Sequence, residues 1–127
     1  MRPGDPLPEL RVLPDRHLPH RYASASEDFN PIHIDPEAAR ELGLPGHVLH
    51  GLYLMSVVAR AAGELAPGDP RALKRLSVEF LDMGVPEQEI IVKGSVREVK
   101  DGRAVLDAGI EQSGRMIVGG GEAEIEA

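Results

Sequence analysis

No cysteine occurs among the 127 residues, which excludes disulfides, thiolate metal sites and cysteine nucleophiles. Tryptophan is absent as well, and aromatics make up only 3%. The core must therefore rest on Leu, Val, Ile, Ala and Met, and a stacking platform for single-stranded nucleic acid is not expected. No apolar stretch approaches membrane-spanning length, and Met1 to Pro6 lacks the apolar run of a signal peptide; the expectation is an intracellular, cytoplasmic protein. Positive charge is also in short supply, with 14 Lys and Arg against 21 Asp and Glu, for a net charge of -7. Residues 1–77 carry nine basic and ten acidic side chains, residues 78–127 five and eleven. Such a chain is repelled by a phosphate backbone, so nucleic acid is a poor partner. A smaller anion stays open wherever basic groups cluster.

What is present describes one globular domain over residues 1–127, with 42% hydrophobic and 28% charged residues. A proline-rich lead-in precedes a short strand at Leu10 to Leu13. A helix is expected from His17 to Ser26, then a helix of at most two turns starting at Asp35-Pro36-Glu37, an N-cap, a proline at the first position and an acidic first turn. The longest helix should run from His50 to Leu65, apolar nearly all round and hence buried. After Pro70 the period changes to two. Strands are expected at Leu73 to Phe80, with Leu73, Arg75, Ser77 and Glu79 on one face, and at Gln88 to Val99, Arg103 to Gln112 and Arg115 to Ile125. Asp101-Gly102 and Ser113-Gly114 supply the tight turns. One curved antiparallel sheet wrapped around one central helix is an α+β arrangement of hot-dog type.

The chemistry concentrates in Ser26-Glu27-Asp28-Phe29-Asn30-Pro31-Ile32-His33. Pro31 lacks a backbone donor and pushes Asn30 toward extended geometry, so a rigid turn is expected between two helices. Such a turn can aim Asp28 and His33 at one point, where a carboxylate and an imidazole do acid–base work. Asp28 and Asn30 are also ordinary capping residues, which is the plainer reading. Further on, His47-Val48-Leu49-His50-Gly51-Leu52 leads into the long helix. Helix starts present unpaired N–H groups, and Gly51 would let a ligand carbonyl reach one of them.

The two stretches together strongly resemble the MaoC-like, (R)-specific enoyl-CoA hydratase family, over roughly residues 20–127. The resemblance implies hydration of trans-2-enoyl thioesters or the reverse dehydration, with coenzyme A or phosphopantetheine as part of the substrate and no other cofactor. It implies that Asp28 and His33 hold one catalytic water, that the Gly51 N–H polarises the thioester carbonyl, and that Asn30 holds the turn beside the substrate. It also implies a homodimer, with the acyl tunnel between subunits. Glu27 stands where relatives commonly have Gly, and Leu52 where many have Met.

His50 is expected to fix the approach to the long helix, and the pair His47 and His50 lacks a third ligand, so no metal is expected. His17 and His20 read as surface residues, Tyr22 and Phe80 as core. Arg71, Lys74 and Arg75 are the densest basic cluster and candidates for carrier phosphates; a solvated strand end explains them equally well. Two rivals are a hot-dog thioesterase, which normally places a carboxylate on the buried helix, and a non-catalytic subunit of a heterodimeric dehydratase. No Asp or Glu lies between Gly51 and Gly63, and Asp28 and His33 are intact.

Overall fold

In the computed structural model, which describes residues 1–126, the period-two segments form one five-stranded antiparallel sheet. Its strands are β1 (Leu10–Val12), β2 (Leu73–Phe80), β3 (Ile90–Lys100), β4 (Arg103–Gln112) and β5 (Arg115–Glu126). The spatial order is β1-β3-β4-β5-β2. β3, β4 and β5 make the expected meander, and both turns put a non-glycine and then a glycine at positive φ: Asp101 and Gly102, Ser113 and Gly114. That is the backbone of a twist-matched hairpin turn.

Alternate residues of each strand point inward. Ile90, Val92 and Val96 of β3, Ala104, Leu106 and Ile110 of β4, and Ile117, Ala123 and Ile125 of β5 are each no more than 2% exposed. They close on the helix α4 (Gly51–Gly63), whose Leu54, Val57, Val58, Ala61 and Ala62 form one buried stripe. The hot-dog arrangement expected from the element order is the one observed.

Four details depart from the sequence reading. α4 is buried along one side only, and Leu52 is 62% exposed, because a single sheet covers a single face. In β2 a register shift between Leu73 and Arg75 turns Leu73 to the same side as Leu76 and Val78. β3 begins at Ile90 rather than Gln88, since the Gln88 carbonyl is taken by the buried side chain of Gln112. Finally, between α1 (Leu18–Ser26) and α3 (Pro36–Glu41) lies a one-turn helix, α2 (Pro31–Ile34), where a turn alone was expected. Pro31 suits its first position, and Asn30 caps it by accepting the Ile32 N–H at 3.2 Å.

Candidate active site

α1 ends at Glu27, which takes the left-handed conformation at φ 58°. A glycine adopts that geometry without strain, so this chain meets with a glutamate a backbone requirement that favours glycine. The chain then reverses through Asp28, whose Oδ1 accepts the Asn30 N–H at 3.3 Å. Asp28 thus does hold the turn, and its second oxygen remains available.

α2 is strapped to the segment before α4. The Val48 N–H donates to the Ile32 carbonyl at 2.9 Å, and His33 Nδ1–H donates to the Val48 carbonyl at 2.9 Å. This bond fixes the tautomer of the neutral ring, leaving the lone pair on Nε2. His33 is 8% exposed. Its Nε2 lies 3.9 Å from Asp28 Oδ2, too far for a direct hydrogen bond and close enough for both to contact one small molecule.

His50 completes the support. Its ring stacks on His33 with centroids 3.8 Å apart and planes 18° from parallel. His50 Nε2–H donates to the Asp28 carbonyl at 3.1 Å, and Tyr22 packs on the other ring contact at 4.9 Å. Tyr22 is therefore part of the wall behind the site, not of the core. Gly51 follows His50 as the first residue of α4, and no side chain caps this end, so its first N–H groups stay unclaimed. A Cβ at Gly51 would meet the ring of Phe80 at 3.0 Å. Phe80, expected in the core, is 51% exposed and lies over Gly51 instead.

Ligating atoms of Asp28, His33 and His50 lie within 4.8 Å of one another. The two rings are stacked and nearly parallel, so their in-plane lone pairs lie in separate planes rather than converging as a coordinated ion requires. Acid–base chemistry on a water fits the arrangement better.

Burial lowers the pKa of His50 below its usual 6.5, and the neighbouring His33 adds to this against the opposing Asp28 carbonyl. A histidine with a depressed folded pKa binds fewer protons when folded. Its contribution to stability is present above the unfolded pKa and lost as pH falls through the folded one. Urea midpoints should therefore fall as pH drops below about 6.5, and His50→Gln, which keeps a donor for the Asp28 carbonyl, should flatten that slope. An equal slope in the variant would assign the effect to other groups.

Residues 8–113 match the MaoC like domain. The chain belongs to the MaoC-like dehydratase family. It is 33% identical over 107 residues to the fatty acid synthase beta subunit pkiC of Emericella nidulans, covering 81% of this chain and 6% of that protein. It is 36% identical over 86 residues to the peroxisomal enoyl-CoA hydratase 2 of Arabidopsis thaliana, covering 67% of this chain and 27% of that one. The MaoC-like chain thus spans a small part of the curated relatives it matches. Among solved structures, the (R)-hydratase from A. caviae involved in PHA biosynthesis has a TM-score of 0.88 at 25% identity, covering 99% of this chain and 96% of that one. A MaoC-like dehydratase gives 0.93 at 26% identity, covering 99% of this chain and 40% of that one.

Not every expected residue joins this MaoC-like site. Arg71 and Lys74 lie past the opposite end of α4, near Ala66, where Asp69 pairs with Arg71 at 3.1 Å and Glu126 with Lys74 at 3.1 Å, and Arg75 follows on β2 opposite Glu124 of β5. His47 is separated from His50 and turns to Arg16, donating to its carbonyl at 2.9 Å. His20 is no free surface residue; its Nε2–H donates to the Ile34 carbonyl at 3.0 Å. Sequence spacing offered no signal for these long-range contacts.

Proposed function

We propose that this domain adds water to trans-2-enoyl thioesters to give (R)-3-hydroxyacyl thioesters, or removes it in reverse. The observation that carries this is the 3.9 Å gap between Asp28 Oδ2 and the His33 nitrogen left free by its bond to Val48. A water in the gap gives a hydrogen to each group and turns an oxygen lone pair toward C3 of the substrate. As the C3–O bond forms, the C2=C3 pair moves to C2 and the thioester oxygen, and the water's proton passes to the Asp28–His33 pair. The Gly51 N–H, at the positive end of α4, holds the developing oxyanion. A proton from the pair then closes C2, and the pair ends in its starting state. Coenzyme A or a phosphopantetheine arm enters as part of the substrate.

Phe29 (57% exposed), Leu52 and Phe80 belong to the three segments that form the site, and they leave it on an open apolar face. A second copy of the chain covering that face would turn it into an acyl channel, the reading we adopt for the partner. The test follows crotonyl-CoA by enoyl absorbance and by a thiol reagent in parallel. Loss of absorbance without thiol release is expected; thiol release instead would favour the thioesterase.

A further inference from the structure

A large cleft lies behind the site, not in it. It measures about 800 Å³ and is walled by α1, α3, the loop before Val48 and the β2–β3 connection, a size suited to a small-molecule ligand. The charged and titratable groups facing it are Arg16, His17, His20, Arg40, His47 and Glu87. Two are arginines and three are imidazoles, against one carboxylate, in a chain whose net charge is -7 with histidine neutral. The three imidazoles adjoin one another, with centroids 5.7 Å apart for His17 and His20 and 5.5 Å for His20 and His47.

Two further facts describe the groups on its wall. Elsewhere Arg11, Arg21, Arg71, Arg97 and Arg115 pair with carboxylates, while Arg2, Arg60, Arg75 and Arg103 have none among the described residues. Neither Arg16 nor Arg40 has a carboxylate partner among the described residues, yet both line this cleft. In addition, His20 Nδ1 is buried with no hydrogen-bond partner, as is His50 Nδ1; with Nε2–H donating to Ile34, the His20 nitrogen becomes a donor only when the ring is protonated. The cleft also adjoins the catalytic wall. His20 holds the carbonyl of Ile34, next to His33, and His47 precedes Val48, whose carbonyl orients His33.

We infer that this cleft binds the phosphate-bearing nucleotide end of a coenzyme A thioester, with Arg16 and Arg40 neutralising the phosphates. The inference rests on the proposed function for the thioester, and it moves the carrier phosphates away from Arg71 and Lys74, which have carboxylate partners already. Phosphate beside these imidazoles favours their protonated forms, alongside the carboxylates of Glu87 in the cleft and of Asp15, which accepts the His17 N–H and pairs with Arg21, so affinity rises as pH falls.

The probe is adenosine 3′,5′-bisphosphate, titrated calorimetrically against the intact protein. Wild type should bind it more tightly than inorganic phosphate, and more tightly at about pH 6 than at about pH 8. The double variant Arg16→Ala/Arg40→Ala should bind it at least about tenfold more weakly. Equal binding by the variant, or no preference over inorganic phosphate, overturns the inference. In turnover, the double variant should raise KM for crotonyl-CoA by about tenfold at unchanged kcat and leave KM for crotonyl-pantetheine unchanged. Crotonyl-phosphopantetheine carries the lone phosphate that an acyl carrier protein presents. If it matches the coenzyme A ester in KM, the nucleotide assignment fails. A wild type that binds the bisphosphate but hydrates no enoyl thioester removes the proposed function and leaves the anion site standing.

Discussion

Asp28→Asn should lower kcat for crotonyl-CoA hydration by about 10²–10⁴-fold while leaving the fold intact. The asparagine keeps an oxygen where Asp28 Oδ1 accepts the Asn30 N–H, so the turn holds. What disappears is the second anionic oxygen facing His33 Nε2. Because the amide can neither take nor return a proton, the water between the two groups loses one of its acceptors. KM should change little, since the proposed mechanism holds the thioester carbonyl at Gly51 and not at Asp28. Steady-state kinetics with a parallel urea titration separates the outcomes. A variant that retains more than about a tenth of wild-type kcat, with unchanged stability, would show that the carboxylate serves the turn alone.

Gln112→Leu should cost about 3 kcal/mol of unfolding free energy, although the volumes are similar. Gln112 is 1% exposed and all of its bonds go to one loop. Its Oε1 accepts the Val85 N–H at 2.8 Å, and its Nε2 donates to the Val85 carbonyl at 2.7 Å and to the Gln88 carbonyl at 3.0 Å. Leucine gains hydrophobic burial but strands three backbone groups, each costing about 1–3 kcal/mol when left unpaired and buried. Since residues 85–88 also wall the basic cleft, binding of the bisphosphate should weaken together with stability. A shift in the urea midpoint worth less than about 1 kcal/mol would mean that water replaces the side chain.

These two residues also show what could be read in advance. Asp28 and His33 stood out because Pro31 and Asn30 fix the chain between them, and local constraints of that kind are written in neighbouring residues. The meander was legible for the same reason, with Asp101-Gly102 and Ser113-Gly114 marking its turns and alternation marking its strands. Gln112 was not, because its partners lie 24 and 27 positions away and a lone Gln at a strand end carries no pattern. The basic cleft was hidden likewise: Arg16, Arg40 and His47 come together only once α1, α3 and the loop before α4 are packed. α2 was missed because a single turn has too few residues to show a period. Exposure of Leu52 and Phe80 followed from the fold rather than from composition, since a helix apolar on all sides predicts burial that one sheet cannot supply.

The configuration at C3 of the product made from crotonyl-CoA tests the central claim most directly. In the proposed mechanism a water held between Asp28 and His33, with the substrate carbonyl at Gly51, reaches only one face of the double bond. Chiral chromatography of the hydrolysed product should return the (R)-3-hydroxy acid alone. A racemate, or free coenzyme A without hydration, would contradict the assignment of this pair as the water-activating groups, and the (S) acid alone would contradict the (R) assignment.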